Sequence, residues 1–215
     1  MKIALTGNPN SGKTTTYNAL TGMHERVGNW AGVTVEKKEA PISKKFYVST
    51  EELIAVDLPG AYSMSPFTSE ESITSAYVKN ANPDVIINVV DATNLSRSLF
   101  FTTQLLELDV PVVVALNKTD INDKKDTRIN VAELSKKLGC PVIETVSTDE
   151  KGLEAVVKAA VDQYGKGQKA PYSQGEVDLS SKEAVIEADK KRFAFVNKIV
   201  ASVELIPDID VKSFE

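Results

Sequence analysis

Residues 2–14, KIALTGNPNSGKT, decide the fold. Ile3-Ala4-Leu5 reads as the buried end of a strand, and Gly7–Thr14 follows it directly with the spacing G-x-x-x-x-G-K-[ST]. A nucleoside triphosphate packs several negative charges into a small volume, so its site needs converging backbone N–H groups, a cation and room for close approach. Gly7 and Gly12 supply the room, Lys13 the cation and Thr14 a hydroxyl for Mg²⁺. Asn8, Pro9, Asn10, Ser11 and Thr15 complete the expected cradle. A Gly-rich turn with an incidental lysine is the competing reading, and the flanking strand and helix patterns weigh against it.

Two further motifs stand behind strand-like runs. DLPG at Asp57–Gly60 follows Leu53-Ile54-Ala55-Val56. Its aspartate suits the Mg²⁺ shell through water, and its glycine can bring an N–H against a terminal phosphate. NKTD at Asn117–Asp120 follows Val112–Leu116. The Asp120 carboxylate can accept from the ring N–H and the exocyclic amine of guanine, a donor pair that adenine lacks. Charged hydrogen bonds contribute about 1.5–3 kcal/mol each, enough to select guanine by orders of magnitude. GTP is therefore the expected nucleotide, with Asn117 bracing neighbouring loops and the Lys118 stem covering a face of the base.

Composition fits one substantial core with a small appendage: 215 residues, 42% hydrophobic and 26% charged. The single cysteine, Cys140, excludes an internal disulfide and reads as a small buried hydrophobe. A net charge of −5 argues against autonomous nucleic-acid binding. No stretch approaches the roughly 20 apolar residues of a membrane span. His24 and Glu25 are too few for a selective metal site, Glu70 and Glu71 read as first-turn helix acids, and the lysine pairs 124–125, 136–137 and 190–191 read as solvated faces.

Apolar runs alternate with helix-period segments, the pattern of an α/β P-loop NTPase with a mostly parallel, six-stranded sheet. Strands are expected near Lys2–Thr6, Thr34–Pro41, Lys45–Asp57, Val85–Asp91, Val112–Asn117 and Val142–Thr145, and helices after Gly12, Thr68, Asn94, Asn130 and Gly152. Thr68-x-x-Glu71 has capping-box form, and Leu153, Val156, Val157, Ala160, Val161 and Tyr164 share one face of the last helix. The chain divides into a nucleotide domain over 1–165, a linker over 166–180, a helical segment over 181–204 and a tail over 205–215. Val185, Ala188, Phe193, Val196, Ile199, Val200 and Val203 form the apolar side of the helical segment, which must dock on the first domain or on a partner.

Beyond these generic motifs, VGNWAGVTVEKKE at Val27–Glu39, DLPGAYSMSP at Asp57–Pro66, VVDATNLSRSLFFTTQLLEL at Val89–Leu108 and EADKKRFAFVNKIV at Glu187–Val200 resemble the cytosolic GTPase domain of the bacterial ferrous-iron transporter FeoB family. The resemblance covers roughly Lys2–Val203 and implies a Ras-like GTPase domain with Mg²⁺ and K⁺ as cofactors. It implies that Thr34, in Gly32-Val33-Thr34, closes over Mg²⁺ and the terminal phosphate, and that Thr14 and Asp57 complete the Mg²⁺ set. Asn10 with carbonyls at Gly28 and Trp30 resembles the K⁺ site of cation-activated GTPases, the Trp30 ring serving also as a hydrophobic anchor. Asn10, Lys13, Thr34 and Gly60 are then the residues expected to act on the reacting phosphate.

Ala61 stands where many small GTPases place a water-orienting glutamine, so hydrolysis is expected to be slow, with water held by backbone groups. In the loop Thr145-Val146-Ser147-Thr148, Ser147 and Thr148 are assigned to guanine O6 through backbone N–H groups, although Val146 occupies the ungapped position. The family's helical spacer is longer than the present segment, which puts its regulatory role in doubt here. The implied partner is a membrane-spanning Fe(II) permease part of the same protein, at the cytoplasmic face of the bacterial inner membrane, with no nucleic acid and with a homo-oligomer left open. A soluble K⁺-dependent GTPase associated with ribosome or tRNA is the second reading.

Overall fold

The computed structural model describes residues 1–23, 26–32, 35–64, 69–124 and 127–205. Its strands are β1 Lys2–Gly7, β2 Arg26–Asn29, β3 Glu36–Pro41, β4 Ile54–Asp57, β5 Val85–Asp91, β6 Val112–Asn117, β7 Arg128–Ile129, β8 Val142–Thr145 and β9 Glu204–Leu205. Its helices are α1 Lys13–Thr21, α2 Ser69–Asn80, α3 Leu95–Leu106, α4 Thr119–Lys124, α5 Val131–Leu138, α6 Leu153–Gln163 and α7 Lys182–Val203. Seven strands form one sheet in the order β2-β3-β4-β1-β5-β6-β8, and β7 pairs with β9 in a separate ribbon. The core strands are parallel, whereas β2–β3 and β3–β4 are antiparallel.

The central strands bury both faces, and their alternation assigns each residue to one of two cores. Ala4, Val56, Ile86, Val90, Val112, Val114 and Leu116 point to the side covered by α3, α5 and α7. Ile3, Leu5, Ala55, Val85, Ile87, Val89, Val113 and Ala115 point to the side covered by α1 and α6. A continuous apolar run is what such a doubly covered strand requires. It leaves polar chemistry only to the strand ends.

Several expectations need correction. The sheet has seven strands, not six, because Arg26–Asn29 adds an antiparallel edge to β3. A four-residue edge strand of sequence RVGN carries no apolar run for the sequence to show. The long run expected from Lys45 contracts to Ile54–Asp57: Lys44–Phe46 forms a 3-10 turn capped by Ser43, and the Leu53 N–H donates to the Tyr47 hydroxyl at 3.2 Å. The strand expected from Thr34 begins at Glu36, and helix α4, which was not expected, begins inside NKTD at Thr119. Thr68, and with it the capping box, lies outside the described residues. Leu153, Val156, Val157 and Ala160 are fully buried, but Val161 and Tyr164 are exposed. Val161 sits at the edge of the stripe, and Tyr164 follows the end of the helix.

Helix α7 docks against α3 and α5. Its buried residues are Ala188, Arg192, Val196, Ile199 and Val203, a stripe spaced by three and four. Burying an aliphatic side chain this completely contributes roughly 1.5–3 kcal/mol, so three such residues outweigh any surface ion pair on this helix. Phe193 remains partly exposed yet stacks on Phe100, ring centroids 4.2 Å apart. Arg192 takes a core position although it is charged: its guanidinium donates to Glu107 at 2.5 Å and to the Thr103 hydroxyl at 3.1 Å, and it lies over the Tyr172 ring. Glu107 also accepts from the Gln174 N–H, and the Gln168 amide bridges both backbone groups of Val112 at 2.9 Å. The linker-like stretch is therefore tied to the body of the molecule.

Candidate functional site

All three motifs fall at carboxyl ends of parallel strands of one sheet, the neighbours β4 and β1 and, one strand further across β5, β6, where open sheets bind ligands. The loop after β1 turns into α1 through Gly12, whose φ of 95° lies in the left-handed region. A Cβ at Gly12 would run into the Asn117 side-chain nitrogen, which is engaged by the Ser11 carbonyl, so the loop and the NKTD strand approach closely at a position whose φ already favours glycine. A Cβ at Gly60 would meet Pro9 at 3.2 Å, which brings the second motif onto the first. Asn10 also adopts a positive φ, 65°.

A cleft of about 530 Å³ is lined by Asn8, Pro9, Asn10, Gly12, Lys13, Thr14, Thr15, Gly60 and Lys118. Lys13 is nearly buried and pairs with Asp57. The lysine expected on phosphate and the carboxylate expected in the Mg²⁺ shell are thus neighbours, while Thr14 and Thr15 are exposed to the cleft. The Ala61 N–H is taken by the Gly7 carbonyl at 3.1 Å and its side chain is buried, so this residue has neither group to offer a water molecule.

On the base side, Asn117 acts as a brace. Its amide nitrogen donates to the Ser11 carbonyl at 3.1 Å, and its oxygen accepts from the Thr145 hydroxyl at 3.2 Å and from the Ser147 N–H and hydroxyl at 3.1 and 3.0 Å. Ser147 therefore spends its backbone donor on Asn117, and its hydroxyl also meets that of Thr16 at 2.7 Å. Thr148 is exposed beside it, and Asp120 opens α4. Lys118 Nζ donates to the Asn10 carbonyl at 2.5 Å and lies 3.1 Å from Asp91. Neither Asp91 nor Thr16 was singled out as a site residue from the motifs. Asp91 could have been suspected, since like Asp57 it ends a strand at this edge.

The site residues expected between Gly28 and Thr34 are less gathered. Gly28 lies in β2 opposite Lys37, Gly32 is exposed with φ 76°, and Val33 and Thr34 fall outside the described residues, as do His24 and Glu25. Trp30 packs edge-on against Tyr77 of α2 at 5.7 Å, with Lys37 over its ring. The anchoring expected of this ring is present, but neither Gly28 nor Trp30 lines the cleft around Asn10. Burial, with Glu39 and Asp84 nearby, raises the Tyr77 pKa.

The residues fit a polyphosphate and a hard divalent cation. The Gly12 cradle excludes a Cβ, the Asn8 Oδ1 and Ser11 Oγ atoms are buried without hydrogen-bond partners in the described structure, and Thr14 with Asp57 offers the oxygen donors that Mg²⁺ prefers. Among the described residues no group of three or more His, Cys, Asp or Glu side chains could hold a metal, and no helix is long and apolar enough to cross a membrane.

Sheet order, phosphate loop and strand-end motifs define an α/β P-loop protein with a Ras-like G domain. A family model described as ferrous iron transport protein B matches residues 1–160. The chain belongs to that family. It is 51% identical over 168 residues to the Fe(2+) transporter FeoB of Escherichia coli (strain K12), covering 76% of this chain and 21% of that protein. The Salmonella typhimurium (strain LT2) transporter is 50% identical over the same share of each. The chain thus spans about a fifth of the length of the curated relatives it matches. Among solved structures, the cytosolic domain of L. pneumophila FeoB superposes with a TM-score of 0.83 at 28% identity, covering 95% of this chain and 100% of that one. A mutant S. thermophilus NFeoB bound to GDP gives 0.79 at 32% identity with the same coverage.

Proposed function

We propose that this chain binds GTP and GDP, hydrolyses GTP slowly to GDP and phosphate, and serves as the regulatory G domain of a bacterial Fe(II) transporter. The observation that carries this reading is the convergence of the phosphate loop, Gly60 and Lys118 on one cleft at the carboxyl edge of the sheet. The GDP bound to the S. thermophilus NFeoB mutant supports the nucleotide class. Family membership favours this reading over a ribosome- or tRNA-associated GTPase. The iron-carrying part is a membrane-spanning permease in the same protein, and the G domain lies on the cytoplasmic face of the inner membrane. Residues 1–165 are the G domain, 166–180 the connection, 181–204 a reduced helical spacer and 205–215 a tail.

Lys13 exchanges Asp57 for phosphate oxygens, and the loop N–H groups from Asn8 to Thr15 cradle the phosphates. Gly60 contributes its N–H to the terminal phosphate. Thr14, Thr34 and Asp57 would hold Mg²⁺, which would supply positive charge against the phosphates. Asn10, with carbonyls of Gly28 and Trp30 brought to it, would hold K⁺, whose charge would do the work an arginine supplies elsewhere. Gly32 and Val33 would border the nucleotide together with Thr34. Asp120 reads guanine, Asn117 fixes the base loop, and Lys118, Ser147 and Thr148 border the base. With alanine at 61, no side chain there orients water, so turnover is slow.

Titration calorimetry in Mg²⁺ tests the nucleotide: GDP uptake with ADP at least about a hundredfold weaker is expected, and equal binding of the two removes the reading. Turnover in KCl against NaCl tests the cation. Faster hydrolysis in KCl, lost in Asn10→Ala, is expected; equal rates in the two salts refute it.

A further inference from the structure

Asp91 closes β5 at the sheet edge where β4 ends in Asp57 and β6 in Asn117. Its two carboxylate oxygens have different partners. Oδ1 accepts from the Thr93 N–H at 2.9 Å and the Thr93 hydroxyl at 2.5 Å, capping the turn that leads into α3. Oδ2 accepts from Lys118 Nζ at 3.1 Å, and the same ammonium donates to the Asn10 carbonyl at 2.5 Å. The pair is largely shielded, with side-chain exposures of 29% for Lys118 and 17% for Asp91, so solvent and salt weaken it less than a surface pair.

We propose that Asp91 is a positioning residue for nucleotide binding: by holding the Lys118 ammonium it lays the lysine stem along the base site and keeps the Asn10 carbonyl of the phosphate loop in place. The inference rests on the guanine-nucleotide reading above. A lysine is a point charge on a flexible stem, and one carbonyl alone leaves it free to swing toward water. A carboxylate on the neighbouring strand adds a charge-assisted bond and fixes the direction of the stem. Asn10 gains as well, because its positive φ is one that side-chain-bearing residues enter at a cost, and the bond to its carbonyl helps retain it. One carboxylate thus links β5 to both halves of the nucleotide site.

Asp91→Asn retains one oxygen and removes the charge, whereas Lys118→Met keeps the stem and removes the ammonium. Affinity and release rate of a fluorescent GDP, measured in Mg²⁺ and KCl for the parent, both single variants and the double variant, form a double-mutant cycle. Asp91→Asn is expected to weaken binding about tenfold, through faster release, when Lys118 is present, and less than about twofold in Lys118→Met. Thr93→Val, which disturbs only the cap, is expected to stay within about twofold of the parent. An equal loss from Asp91→Asn in both backgrounds, or no loss at all, overturns the proposal. If Asp91→Asn proves unfolded by circular dichroism, Lys118→Met decides alone: parent-like GDP affinity there leaves nothing for Asp91 to position. A parent chain that takes up no GDP defeats the nucleotide reading itself, and is recognised before any variant is compared.

Discussion

The nucleotide cleft and the α7 dock occupy one molecule but are built from different materials. The cleft is made of backbone groups, glycines and a few polar side chains whose spacing is set within short motifs, and its buried charges, Lys13 and Asp57, meet each other. The dock is made of side chains far apart in sequence: Phe193 on Phe100, Arg192 on Glu107, and Val196, Ile199 and Val203 in the core beside α3 and α5. A site for an anion must keep donors available, so it is held in shape from behind, as Asn117 does with Ser11 and Ser147. A docked helix can spend every group it has. The two should therefore fail separately.

The largest effect that would test this separation is Lys13→Ala. It should lower GDP affinity by at least about a hundredfold, since it deletes the cleft's buried cation and its charge-assisted bonds, while leaving the docking of α7 intact. Calorimetry and limited proteolysis after residue 180 check the two halves. Next comes Arg192→Ala, which leaves Glu107 without its guanidinium partner. A stability loss of about 2–3 kcal/mol is expected, seen as a melting temperature lower by about 5–10 °C, with GDP affinity within about twofold. If affinity falls in step with stability, cleft and dock are one unit and the comparison breaks.

The smallest effect concerns Cys140, which belongs to the same core as α7. Burial pushes its thiol from 9.0 up to about 12, so it should resist thiol reagents at pH 8, and Arg192→Ala should speed its labelling. The native thiol stays protonated between these values while the unfolded one ionises. The stabilising contribution is thus constant below pH 9 and lost as pH rises towards 12. Denaturant unfolding at pH 8 and 10 should differ by about 1 kcal/mol from this group, and a Cys140→Ala variant should lack that difference.

Much of the cleft was legible. Ile3-Ala4-Leu5 before the phosphate loop, Val56 before Asp57 and Leu116 before Asn117 mark buried strands ending in polar residues, and this sheet architecture places such ends together. Thr16 and Asp91 escaped notice because their partners, Ser147 and Lys118, are remote in the chain. Edge strand β2 escaped because its four residues, RVGN, hold no apolar run and only the pairing with β3 reveals it. Arg192 was invisible as a core residue because a charge reads as solvated unless its acceptors are known.

By itself, the amino-acid order determined the parallel core, the glycine loop behind β1 and the placing of Asp57 and NKTD at strand ends, because these depend on short-range patterns: alternating burial, glycine freedom and fixed motif spacing. Only tertiary contact decided that Lys13 meets Asp57, that Asp91 holds Lys118, and that a buried arginine fastens α7 to α3. Each of these is a pairing of complementary charges between distant segments, and the folded chain alone sets which charges become neighbours.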